Sequence, residues 1–139
     1  MTSSMKIALL GACLLAPAAG LARTDLVGSL LAKATEIYAR KGFAPTGWSH
    51  RNAMVEGDSK TLAVNLQGGA TYVLAGVCDS ECEDLDLVVA DSNGKTVVED
   101  LLDDDSPIVH VPKSGSYRVK VTMAECAGTC EFGVIAFKN

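Results

Sequence analysis

The chain has 139 residues, 48% of them hydrophobic, and its 12 basic and 17 acidic side chains give a formal net charge of −5. That is enough chain for one domain with a core of its own. The acidic balance and the lack of any Lys/Arg stripe exclude a backbone-tracking nucleic-acid binder, which needs clustered cations to displace counterions.

Residues 1–22 read as a signal peptide. Lys6 supplies the positive charge, Ile7 to Ala19 is charge-free and apolar, and Gly20-Leu21-Ala22 offers small residues for cleavage before Arg23. The apolar run is shorter than the roughly 20 residues that span a bilayer, and no later stretch approaches that length, so no transmembrane segment is expected in the mature chain. Leu10-Gly11-Ala12-Cys13 offers a second reading, a lipoprotein box that would acylate Cys13. The apolar run continues past that cysteine, which favours the cleaved form. Cleavage removes Lys6 and no acid, so the mature chain is more acidic still. The expected location is periplasmic or secreted.

The helical spacing of Leu26, Leu30, Leu31, Ala34, Ile37 and Tyr38 predicts an amphipathic helix over 25–41, with Gly42 as its stop. Residues 43–51, which contain Pro45, Gly47 and Trp48, read as a linker, so residues 23–51 are expected to precede the domain proper. Trp48 and Phe43 are expected to dock the helix on the sheet.

From residue 52 to 139 the texture is that of an all-β domain, with short β-branched runs broken by Gly, Asp, Asn and Pro. Strands are predicted over 53–56, 61–66, 71–77, 85–90, 96–99, 108–111, 116–123 and 131–137. Tyr117, Val119, Val121 and Met123 alternate with Arg118, Lys120 and Thr122, which assigns Tyr117 to the dry face of its strand.

An ordered set of motifs carries a resemblance. Gly68-Gly69 leads into Thr-Tyr-Val-Leu-Ala-Gly-Val-Cys78-Asp, then come Asp84-Leu-Asp-Leu and Asp91-Ser-Asn-Gly94, then Gly115-Ser-Tyr-Arg-Val-Lys-Val121. Over about residues 53–137 the chain resembles the bacterial pre-peptidase C-terminal domain. The resemblance implies a jelly-roll-like antiparallel β-sandwich and an accessory, non-catalytic role; some distant relatives bind calcium or extracellular polymers. The paired cysteines depart from the plainer family pattern and suggest a separate exported branch. No peptidase domain accompanies the module, so protease-linked roles are not carried over.

Cys78, Cys82, Cys126 and Cys130 stand in two Cys-x-x-x-Cys steps. In an exported chain an even cysteine count favours disulfides over a zinc site, although the spacing alone allows zinc. Three pairings exist. A bridge across each hairpin mouth, Cys78 with Cys82 and Cys126 with Cys130, is favoured; the crossed pairings would close longer loops.

An up-and-down accounting of the strands brings the loops at 78–84, 100–106 and 124–130 to one pole, rich in Asp and Glu and without Lys or Arg. Clustered carboxylates suit Ca²⁺, and Asp79, Glu81, Asp84, Asp103, Asp104 and Asp105 are the candidate ligands. No EF-hand spacing is present, so calcium stands as the alternative to plainly solvated loops, and no other cofactor is expected. Asp86, alternating with Leu85 and Leu87, is expected to be structural, with Asp84 and Asp86 facing outward opposite Arg118 and Lys120.

Catalysis finds little support. His50 falls in the linker and His110 in a strand, and no nucleophile elbow, His-Glu-x-x-His pair or phosphate loop occurs. Glycoside hydrolysis by paired acids needs aromatic sugar platforms, and the chain has one Trp, three Tyr and three Phe. The expected function is therefore an exported non-catalytic module that binds or stabilises a protein or polymer of the cell envelope. A Ca²⁺-dependent polymer- or peptide-binding module is the alternative, and an acid-residue hydrolase comes last.

Overall fold

The computed structural model describes residues 24–139; the expected signal peptide and Cys13 lie outside them. One helix, α1 (Leu26–Arg40), precedes eight strands: β1 (Ala44–Val55), β2 (Ser59–Leu66), β3 (Tyr72–Cys78), β4 (Cys82–Ala90), β5 (Thr96–Asp100), β6 (Ile108–Val111), β7 (Gly115–Cys126) and β8 (Thr129–Lys138). They form two four-stranded sheets with orders β1-β8-β3-β6 and β2-β7-β4-β5, every pair antiparallel. This is the strand order of a jelly roll, in which nearly every connection crosses from one sheet to the other. Only β4 and β5 are consecutive strands that pair with each other.

The alternation predicted for β7 holds: Val119, Val121 and Met123 are fully buried, and Tyr117 packs partly buried beside them. Its hydroxyl donates to the Lys113 carbonyl at 2.7 Å, which closes the turn leading into the strand. Strand β3 is buried at every position, because its two faces meet different layers. Tyr72, Leu74 and Cys78 join the core between the sheets, while Val73 and Ala75 face α1 together with Phe137 and Tyr38.

The side chain of Asp25 caps α1, accepting from the Gly28 amide at 2.9 Å, and Gly42, at φ 86°, turns the chain away at the other end. The buried stripe is rotated from the one expected. Val27 and Tyr38 are buried, whereas Leu26 and Ile37 are 37% and 39% exposed. The helix can sit this close to the sheet because Gly133 of β8 lies beneath it; a Cβ there would come within 2.9 Å of Leu31 and 3.1 Å of Val27.

The stretch read as a linker is a strand. Residues 44–51 form the first part of β1, paired with β8 through a register irregularity between Pro45 and Ser49. Pro45 and Gly47 are tolerated there because β1 is a sheet edge, where a proline's missing donor and a glycine bulge do little harm. The role expected of Trp48 is corrected with it. Phe43 does pack against Tyr38 of the helix, edge to face at 5.9 Å. Trp48 instead joins the inter-sheet core and donates from Nε1 to the Ala63 carbonyl of β2 at 3.1 Å, bridging the edges of the two sheets. Its polar tip finds a partner while its ring fills the open side of the sandwich.

Candidate functional site

The disulfides pair Cys78 with Cys82 and Cys126 with Cys130, with Cα separations of 5.9 and 6.1 Å. The pairing is the one favoured from the sequence, but the bridges do not close hairpins. Cys78 ends β3 and Cys82 begins β4, and these strands belong to opposite sheets; Cys126 and Cys130 likewise end β7 and begin β8. Each bridge therefore ties one sheet to the other at the same pole. Cys82 and Cys126 are also register partners across β4 and β7, so the two bridges stand side by side.

The acidic loops meet at this pole, as the strand accounting anticipated, although the path between them is the jelly-roll one. The Leu85 amide donates to the Asp104 carbonyl at 2.9 Å, and the Ala127 amide to the Glu81 carbonyl at 3.0 Å. The candidate calcium ligands divide between two surroundings. Asp79 is engaged by the backbone, its Oδ1 accepting from Glu81 at 3.2 Å and its Oδ2 from Glu131 at 2.7 Å. It shapes the β3–β4 corner, and with Glu81 it lines a cleft beside Thr24, Val27 and Glu131. Asp84, Asp103 and Asp104 belong to the second surroundings, together with Asp86. Asp104 and Asp105 accept from Ser106, through its amide at 3.0 Å and its hydroxyl at 2.9 Å respectively. Among the described residues no three His, Cys, Asp or Glu side chains are arranged to hold a metal ion.

The cross-strand cations expected beside Asp84 and Asp86 are elsewhere. Asp86 pairs with Thr122, Lys120 lies opposite Val88, and Arg118 lies opposite Ala90. Register irregularities on either side of Asp84 are local: Cys82–Cys126 and Leu85–Met123 keep one register, and only Asp84 is shifted, to face Glu125. The neighbours are acids instead. Partial burial pushes the Asp84 carboxyl above the usual range, and Asp86 and Asp103 push it further. Burial does the same to Asp86, helped by Asp100, Asp103 and Asp104. Glu125 is raised first by Glu83, then by desolvation, Asp103 and Glu56. One carboxylate oxygen of Asp84 and one of Asp86 are shielded from solvent with no hydrogen-bond partner among the described residues. An ionised carboxylate held this way lacks the donors it would find in water.

Glu56 was absent from the expected set. It stands in the turn after β1, and its Oε1 accepts from the Cys126 amide at 3.1 Å, which brings a fourth segment to the pole. The histidines form no constellation. His50 of β1 rests tilted against Phe132, 6.3 Å between centroids, and His110 of β6 is exposed.

A second charge cluster escaped sequence reading altogether. Arg51 of β1 reaches Asp25 at the head of α1, at 3.0 and 2.6 Å, and Glu131 of β8 through Nε at 3.1 Å. Arg51 and the Gly28 amide hold Asp25 down to about 2, and the two carboxylates raise the guanidinium. Its function is to latch the helix to the sheet. No local signal could have revealed it, since the three residues are scattered along the chain.

No helix among the described residues is long and apolar enough to cross a membrane. No family model matches the chain, and no curated protein matches it.

Proposed function

We propose that this chain is an exported, non-catalytic jelly-roll module that binds a partner at the cell envelope through its acidic, doubly bridged pole. The observation that carries the reading is the group Asp84, Asp86 and Glu125, raised by burial and by neighbouring acids, with a shielded carboxylate oxygen on each aspartate that finds no hydrogen-bond partner among the described residues. Clustered like charges lower the stability of a fold, and such local conflicts concentrate where a protein binds something. The bridges hold the cluster together against its own repulsion. The two cysteine pairs support an oxidising compartment, and the resemblance to the pre-peptidase C-terminal domain supports an accessory role.

The partner this pole suits is cationic, a basic peptide segment or an amine-bearing polymer of the envelope. Titration calorimetry with an oligolysine peptide and amine-bearing envelope polymers tests the reading. Binding that weakens with added salt and is lost in the double variant Asp84→Asn/Asp86→Asn supports it. Binding indifferent to both changes places recognition elsewhere.

The two unpartnered carboxylate oxygens favour one further reading, a Ca²⁺-dependent module in which the ion draws the pole's acids together. In that case Ca²⁺ stabilises the native state by mass action, by about 2.7 kcal/mol at 100 times the dissociation constant, and so raises the melting temperature. Identical melting curves with Ca²⁺ and with chelator in low salt dismiss it.

A further inference from the structure

The rotated stripe of α1 leaves part of its apolar surface uncovered beside β6. Leu30, Ala34 and Ile37 form one wall of a groove of about 290 Å³, Ala75 and Val77 lie at its base, and Ile108 faces the helix across it. Lys33 and Lys41 also line this groove, and neither takes part in an ion pair among the described residues. An apolar cleft bordered by two lysines without acidic partners runs against the acidic character of the chain.

Ile108 belongs to a second concavity as well, which it shares with Glu99, Asp100, Leu101 and Leu102. Leu101 and Leu102 are 55% and 68% exposed, more than any other large apolar side chain described. They are fixed in that position. The Asp100 carboxylate accepts from the Leu102 amide at 3.1 Å and from the Ile108 amide at 2.9 Å. The Asp104 amide donates to the Leu102 carbonyl, and the Asp104 carbonyl accepts from Leu85, both at 2.9 Å. Two leucines held out by a hydrogen-bonded loop form a projection, and apolar projections of this kind mark contact surfaces.

We propose that these adjoining features are the two-fold interface of a homodimer. Leu101 and Leu102 of each copy enter the groove between α1 and β6 of the other, and Glu99 of each copy meets Lys33 and Lys41 of the other. Two observations select a second copy over an unlike occupant. The projection carries acid and the groove carries base, so the complement of each is present on the same chain. Projection and groove also adjoin at Ile108, so a single two-fold rotation about that point engages both at once, which is the self-complementarity an isologous contact requires.

The test is sedimentation of the mature chain from micromolar to millimolar concentration, with three variants whose substitutions are on the surface. Wild type sediments as a concentration-dependent dimer. Leu102→Ser weakens it by roughly tenfold to hundredfold, the effect of exposing a covered leucine. Lys33→Glu/Lys41→Glu and Glu99→Lys each sediment as monomers, because each sets like charges opposite one another in its own dimer. Mixed together, the two charge variants form a heterodimer in which both contacts again join opposite charges. A chain that is monomeric throughout the range overturns the proposal, as does a dimer unmoved by Leu102→Ser or a mixture that stays monomeric. Saturable uptake of a fatty-acid probe by a monomer, blocked by Ala34→Trp, would assign the groove to a small ligand and equally overturn it.

Discussion

The helix-covered side of the β1-β8-β3-β6 sheet and the bridged pole are built on opposite terms. Beneath α1, small and aromatic residues interlock: Tyr38 stacks on Phe137 at 4.8 Å, Gly133 admits the helix backbone, and Arg51 joins carboxylates of the helix and the sheet. At the pole, carboxylates crowd one another, two of their oxygens have no partner, and covalent bonds hold the strands together. One region is stabilised by its non-covalent contacts; the other is kept in place despite them. A stabilising substitution is therefore expected only at the pole.

The largest effect belongs to the helix side. Phe137 is fully buried between the helix and β3, and Phe137→Ala is expected to cost about 3–5 kcal/mol through lost contacts and the cavity left behind. Chemical denaturation measures the loss, and hydrogen exchange should find the α1 amides exposed first. A loss below about 1 kcal/mol would mean that α1 is an ornament on the sandwich and would dissolve the comparison.

Next in size is reduction of the bridges. Each closes a short loop between cysteines four residues apart, which in the chain-entropy model is worth about 2 kcal/mol, near the low end for native disulfides. The oxidised protein should offer none of these four cysteines to an alkylating reagent, and reduction should lower the melting temperature. If the reduced form melts with the oxidised one, the bridges do not hold the pole.

The smallest effects carry opposite signs and sharpen the contrast most. The pole's raised carboxyls bind protons in the native state that the unfolded chain does not bind until lower pH. Stability therefore rises as pH falls from neutral toward the ordinary aspartate value of 3.8. Asp25 behaves in the reverse sense. Its folded value of about 2 means that the helix latch is complete above 3.8 and is lost as pH drops through the acid range below it. Melting curves from neutral to acid should pass through a maximum at mildly acidic pH. Asp84→Asn and Asp86→Asn should each stabilise by up to about 1 kcal/mol at neutral pH and flatten the upper limb, since a neutral amide can donate to a neighbouring carboxylate. Asp25→Asn, which keeps the cap, should flatten only the lower limb. A profile that falls monotonically from neutral pH would show that the pole's repulsion is screened in solution.

How much of this was legible in advance varies by element. The eight strands and the helix were readable because alternation and helical spacing are local properties, and every predicted strand lies largely within an observed one. The N-terminal half of β1 was hidden because Pro45 and Gly47 carry the marks of a loop, and only a neighbour on one side makes an edge strand of them. The acids of the pole could be gathered from the sequence, since turns at one end of successive strands must share that end. The residues facing Asp84 and Asp86 across the sheet could not. The register of β4 against β7, two strands far apart in the chain, sets Asp86 opposite Thr122 and leaves Lys120 and Arg118 opposite Val88 and Ala90, and alternation alone fixes no register.

By itself, the sequence determined the β-rich class, the amphipathic helix, the sequence-adjacent cysteine steps and the acidity of the loops, because each depends on side-chain type and period alone. The tertiary structure decided that the bridges join sheets rather than hairpins, that Trp48 closes the sandwich instead of docking the helix, and that Arg51 finds Asp25 and Glu131. It also decided that Leu26 and Ile37 of α1 stay uncovered, because the rotation of the helix on its sheet is set by where Gly133 lets it approach. Local patterns state what each segment can bury; the crossing of the chain between two sheets determines what it meets there.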